Sequence, residues 1–144
     1  MKNHRCYAVV GCASAITLLL CGLSFPNAAE SIRQLGLLVR IEQLSFYPDK
    51  LTLPGNAFAV LVVQNREDAP IQHEVSSKDL FQAETFVSVQ GSGEIQLDND
   101  NRVSHVLLSP GEEVVIWFYA RKGQTYGFQC NINGHAMQGT IRAL

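Results

Sequence analysis

The sequence is poor in charge and, beyond its first thirty residues, nearly free of cysteine. Charged residues make up 17% of the 144 residues and the formal net charge at pH 7 is −2, so no basic surface of the kind that binds nucleic acid is indicated. Three of the four cysteines lie before residue 22, which leaves Cys130 alone in the rest of the chain. A single cysteine excludes an internal disulfide there, and a lone thiol in an oxidising compartment needs a chemical reason to be kept.

The N-terminal segment has the layout of a secretory signal. Lys2 and Arg5 are followed by an uncharged apolar run over 7–23 and by small residues ending at Ala29. This order of basic, apolar and small residues predicts a signal peptide at 1–29, cleaved after Ala29, and a mature domain at 30–144. An uncleaved membrane anchor and a lipid on Cys21 are the alternatives. We therefore expect a periplasmic or otherwise exported protein with 9 basic and 13 acidic residues after cleavage.

The mature part lacks a long amphipathic helical pattern and has the short apolar runs of a β-protein instead. Turn residues such as Pro54-Gly55 and Pro110-Gly111 separate these runs, which recur at roughly ten-residue spacing. This pattern predicts an all-β, antiparallel Greek-key β-sandwich in a single domain. The expected strands cover 37–41, 44–47, 51–53, 57–63, 103–108, 113–119, 125–130 and 140–143.

The stretch 76–101 departs from that spacing. Ser77-Lys78-Asp79-Leu80 has the residues of a helix start, and two glycines and a run of Asp and Asn follow at 91–101. We predict a short helix and an excursion loop around 76–101.

Cys130, His135 and Met137 are the candidate metal ligands that the sequence indicates. They fall within eight residues directly after a predicted strand. Thiolate, imidazole and thioether together suit copper, and two His with one Cys and a weak axial Met make an electron-transfer blue-copper site. Such a site needs a second histidine. Beyond the signal segment the chain offers His73, predicted to lie in a loop at the end of a core strand, and His105, which has the pattern of a structural or surface residue.

Nearly the whole mature sequence resembles the cupredoxin family of type 1 blue copper proteins, in its plastocyanin- and azurin-like branch. The resemblance lies in the stretch 46–55, in Pro110-Gly111-Glu112, and in the run 123–130 into the ligand loop. It implies one type 1 copper ion that cycles between Cu(I) and Cu(II). It also implies that His73, Cys130 and His135 are equatorial ligands and Met137 the axial one.

Two departures from the family pattern leave the axial ligand open. A single residue separates His135 from Met137, where family members with this Cys-to-His spacing have more. Gln138 or a backbone carbonyl is therefore an alternative axial ligand. Glu74 follows His73 directly, in place of a smaller polar residue, and either hydrogen-bonds the ligand loop or reaches the metal.

These features predict a monomeric carrier of single electrons between transient redox partner proteins, not an enzyme. His135 is the expected electron exit, with Ile132, Ala136 and Met137 as an apolar rim. Nothing in the sequence supplies the orienting group and oxyanion donor of a cysteine nucleophile. The alternatives are a cell-envelope protein that binds and delivers copper without redox shuttling, and an accessory domain that binds metal weakly.

Overall fold

The computed structural model describes residues 34–82 and 84–144, and these form eleven strands in two sheets. The strands are β1 (Leu35–Glu42), β2 (Ser45–Tyr47), β3 (Lys50–Leu53), β4 (Ala57–Asn65), β5 (His73–Ser76), β6 (Phe86–Gly91), β7 (Glu94–Leu97), β8 (Val103–Leu108), β9 (Glu113–Ala120), β10 (Thr125–Gln129) and β11 (Gln138–Ala143). One sheet has the order β2-β1-β4-β9-β6, and the other has the order β3-β11-β10-β5-β8-β7. The predicted all-β sandwich is confirmed.

The core forms where alternating side chains of both sheets face each other. Strand β9 shows the alternation most clearly: Val114, Ile116, Phe118 and Ala120 are buried and the residues between them are half-buried. Strands with period-two burial place every second side chain on one face. Val75, Val106 and Leu108 of the second sheet belong to the same apolar cluster. This shared core fixes the strand ends that carry the candidate ligands.

The eight strands expected from the sequence are present, and the pairing adds a feature that the sequence did not indicate. The sheets are mixed and not purely antiparallel, because β1 pairs with β4 in parallel and β3 pairs with β11 in parallel. In both parallel pairs other strands lie between the partners in the chain, so no local turn signal could have indicated that they run parallel.

The prediction for 76–101 is wrong in its details. No helix forms among the described residues of this stretch: residues 78–81 make turns, and the Ser77 hydroxyl accepts a hydrogen bond from the Leu80 amide. The expected excursion loop contains β6 and β7, which add one strand to the edge of each sheet. The predicted signal peptide at 1–29 lies outside the described residues. Within 34–82 and 84–144 there is no helix of the length and apolarity needed to cross a bilayer.

Candidate metal centre

Three of the predicted ligands converge at one end of the six-stranded sheet. The ligand atoms of His73, Cys130 and His135 all lie within 4.8 Å of one another. His73 is the first residue of β5 and Cys130 follows the last residue of β10, and these strands are neighbours in the sheet. The expectation that His73 lies in a loop is therefore wrong, since β5 pairs it with Leu108 of β8.

The segment before β5 is held by Asn65, the last residue of β4. Its side-chain amide donates to the carbonyls of Ile71 and Leu108, each at 2.9 Å, and its Oδ1 accepts from the Glu67 amide at 3.0 Å. Asn65 is completely buried. A buried amide with these partners ties the loop 66–72 to both β4 and β8, which fixes the point where His73 enters the sheet.

The loop from Cys130 to Met137 is closed by its own backbone. The Cys130 amide donates to the Met137 carbonyl at 3.1 Å, and the His135 amide donates to the Ile132 carbonyl at 3.0 Å. The second of these bonds closes a turn from Ile132 to His135, and Gly134, at the third position of that turn, has a φ of +86°. A type II turn requires a positive φ at this position, which glycine adopts without steric cost. The Asn133-Gly134 pair therefore sets the orientation of His135.

The Cys130 sulfur lies between a backbone donor and a ring nitrogen. The Glu74 amide donates to Cys130 Sγ at 3.3 Å, and His135 Nδ1 lies 3.4 Å from the same sulfur. Cys130 is buried, with 5% of the residue exposed. The thiolate of such a cysteine is the form that binds metal.

The His73 ring is buried without a hydrogen-bond partner. Neither ring nitrogen has a hydrogen-bond partner. Nε2 is 3.4 Å from Glu67 Oε1, but the geometry of this contact is too poor for a hydrogen bond. Burial lowers the pKa of His73, and the nearby His135 lowers it further, while the Glu67 carboxylate acts in the opposite direction. A buried polar atom with no partner is costly. A metal ion among the three ligand atoms would satisfy one of these nitrogens, so the residues fit a copper ion.

Glu67 is a residue of this site that the sequence reasoning missed. Its carboxylate accepts a hydrogen bond from the Leu44 amide at 2.7 Å, and this bond is the main reason that its pKa lies below the usual value. Leu44 belongs to the turn between β1 and β2, 23 residues earlier in the chain. An acidic residue six positions before His73 was visible in the sequence, but its contact with the ring depends on the fold.

The other candidates take different positions. Met137 is buried with 2% exposed, whereas Gln138 is exposed, as the alternation through β11 requires. The Glu74 carboxylate accepts from the Asn131 side chain at 2.7 Å, so Glu74 hydrogen-bonds the ligand loop. His105 is on β8 beside Ser104 and is not in the cluster.

The expected apolar rim is only partly at the surface. His135 and Ile132 are half-buried and Ala136 is exposed. Met137 belongs to the core, so including it in the rim was wrong.

Comparisons with known proteins identify the family and support the fold. Residues 12–143 match a family model described as a cupredoxin-like domain. Auracyanin A, a "blue" copper protein from Chloroflexus aurantiacus, is 20% identical with a TM-score of 0.53, over 78% of this chain and 100% of that chain. Reduced auracyanin from Roseiflexus castenholzii is 18% identical with a TM-score of 0.53, over 76% and 96% of the two chains.

A copper-containing nitrite reductase from Thermus scotoductus is also similar, at 14% identity and a TM-score of 0.51. The match covers 76% of this chain and 31% of the reductase. At these identities the structural likeness concerns the fold. No curated protein matches the sequence significantly.

Proposed function

The chain belongs to the family of cupredoxin-like domains, and from this premise we propose that it is an exported type 1 copper protein that carries single electrons. The observation that carries the proposal is the convergence of His73, Cys130 and His135 within 4.8 Å. One thiolate and two imidazoles are the equatorial set of electron-transfer copper sites. Copper held there supplies one-electron cycling between Cu(I) and Cu(II).

The way the ligands are held supports electron transfer over copper delivery. His73 is fixed in a strand, and the loop from Cys130 to Met137 is closed by two backbone hydrogen bonds. A ligand set held by the surrounding fold keeps the same geometry in both oxidation states, so little rearrangement accompanies the gain or loss of an electron. A delivery protein needs ligands that leave the metal one by one, and a completely buried His73 is a poor first ligand to release.

Met137 is the axial ligand in this proposal. It is the buried residue of the pair at 137 and 138, and its own carbonyl accepts the Cys130 amide. Gln138 is exposed and Glu74 is already bonded to Asn131. A weak axial thioether beside a Cys and two His tunes the potential of such sites.

His135 is the proposed electron exit. It is the least buried of the three converging ligands, and Ala136 beside it is exposed. With half-buried Ile132 it offers a small apolar contact surface, which suits the weak and transient complexes of redox partners. We propose that the protein acts as a monomer in the periplasm or outside the cell, without enzymatic activity of its own.

The first test is the visible absorption and EPR spectrum of residues 30–144 after addition of copper(II). We expect an intense thiolate-to-copper charge-transfer band and a narrow copper hyperfine splitting. Cys130→Ala should abolish both, because it removes the thiolate.

His105→Ala is the matched control, since His105 lies outside the cluster and its loss should leave the spectrum unchanged. An ordinary tetragonal copper spectrum that survives Cys130→Ala would reject the blue-copper proposal. If the blue spectrum appears but the protein releases copper readily to an acceptor and is not reversibly reduced, delivery is the better description.

A further inference from the structure

One carboxylate, that of Glu67, lies beside the ring of the candidate ligand His73. Glu67 Oε1 is 3.4 Å from His73 Nε2, and only 10% of the Glu67 side chain is exposed. The His73 side chain is not exposed at all. Little of either side chain faces water, so their interaction is stronger than that of a fully exposed pair.

Glu67 is held in this position from two directions. The Leu44 amide donates to the same oxygen, Oε1, at 2.7 Å, and the Glu67 amide donates to Asn65 Oδ1 at 3.0 Å. Leu44 and its neighbour Gln43 have positive φ values of 56° and 52°. Two successive residues in the left-handed region bring the Leu44 N–H to the carboxylate. The turn between β1 and β2 thus supports a side chain that contacts His73.

The contact leaves Nδ1 of His73 for the metal. Of the two ring nitrogens, Nε2 is the one beside the carboxylate, and neither has a hydrogen bond. A carboxylate near one nitrogen favours the tautomer with its proton on that nitrogen, and it makes the other nitrogen a stronger donor to a metal. It also adds negative charge close to the site, which stabilises Cu(II) relative to Cu(I).

We propose that Glu67 is a positioning residue that holds His73 in the Nε2–H tautomer and lowers the reduction potential of the copper site. The tautomer part concerns the metal-free protein, and the part on the potential rests on the proposed function. Glu67 does not bind the metal: it acts through His73.

The test of the potential uses Glu67→Gln in the copper-loaded protein. Glutamine keeps an oxygen that can accept the Leu44 amide and removes only the charge. We expect the reduction potential to rise by about 59 mV, the equivalent of a tenfold shift of the Cu(I)/Cu(II) equilibrium toward Cu(I). Redox titration followed by the charge-transfer band measures this shift.

Asp68→Asn is the matched control for charge. Asp68 follows Glu67 in the chain and is exposed. The variant therefore removes the same charge from the same loop. Solvent screening should limit its effect to about twofold in that equilibrium. Equal shifts in the two variants, or no shift in Glu67→Gln, would overturn the proposal on the potential. A Glu67→Gln protein that melts earlier at an unchanged potential would reduce Glu67 to a structural role.

The second measurement needs neither copper nor a variant. Nitrogen NMR of the imidazoles in the metal-free protein should show His73 with its proton on Nε2. A proton on Nδ1 would overturn the proposal even if Glu67→Gln fails to fold. If the wild-type protein shows no charge-transfer band, the proposed function fails, and a proton on Nδ1 would still overturn the tautomer part of the proposal.

Discussion

At the scale of single residues, the three converging candidate ligands differ in their contact with water. His73 is completely buried, Cys130 is 5% exposed, and His135 is half-buried. Burial lowers the pKa of His73, so the ring stays neutral at physiological pH, and neutral imidazole is the form that binds metal. His135 is thus the candidate ligand nearest the surface, while His73 and Cys130 are covered from solvent.

Met137 can be tested without disturbing the core. Met137→Leu conserves volume, so the free energy of unfolding should fall by less than about 1.5 kcal/mol. Loss of the axial thioether should raise the reduction potential of the copper-loaded protein, by about 59 mV for a tenfold shift of the equilibrium. Redox titration checks this value.

Gln138→Leu is the companion variant of Met137→Leu. Because Gln138 is exposed, its replacement should leave the potential where it was. A potential that responds to Gln138 and not to Met137 would assign the axial position to the amide.

The sequence indicates the candidate ligands better than their surroundings. Cys130, His135 and Met137 are close in the chain, and the soft donor set alone indicates copper. The sequence could not indicate Glu67, because its partner Leu44 is 23 residues away and reaches it only through the turn between β1 and β2. Contacts of this kind depend on tertiary packing and leave no local pattern.

At the scale of elements, the end of β4 and the start of β5 form one hydrogen-bonded unit through Asn65. Asn65→Ala leaves the carbonyls of Ile71 and Leu108 without their side-chain donor, and the bond to Leu108 is buried. We expect the free energy of unfolding of the metal-free protein to fall by about 1–3 kcal/mol. Urea denaturation measures the change.

Gln64→Ala is the control for this variant. Gln64 precedes Asn65 on the same strand, but its half-buried side chain bonds other side chains: it donates to Glu113 and accepts from Arg66. Its replacement should cost no more than about 0.5 kcal/mol. If the two variants lose the same stability, Asn65 is not the anchor of the loop 66–72.

Composition made the long core strands easier to predict than the short polar ones. The nine residues of β4 and the eight of β9 are rich in β-branched and aromatic side chains, and their boundaries follow from composition. β5 and β7 have four residues each, with polar side chains in both. Such short segments become strands because a partner is already in place, in both cases β8. The Ser77 hydroxyl accepts from the Leu80 amide, as a helix N-cap would, and donates to the Gly127 carbonyl of β10, but the chain after it makes only turns over 78–81.

At the scale of the whole molecule, the proposed export can be tested by expressing the full-length protein. Expressed in a Gram-negative host, the protein should appear in the periplasm with an N-terminus at Glu30, because signal peptidase cuts after small residues. Intact mass and N-terminal sequencing measure this. Full-length protein in the membrane fraction would indicate an uncleaved anchor, and a lipid adduct on Cys21 would indicate a lipoprotein.

The burial of Cys130 has a consequence for the chemical lifetime of the protein. Cys130 is the only cysteine beyond residue 22, and 95% of it is covered by the surrounding strands and loop. Peroxide and foreign thiols react with thiolates that they can reach. Two copies of the chain cannot bring such covered sulfurs together while folded. The protein can therefore keep a reduced thiol in an oxidising compartment without cross-linking to itself.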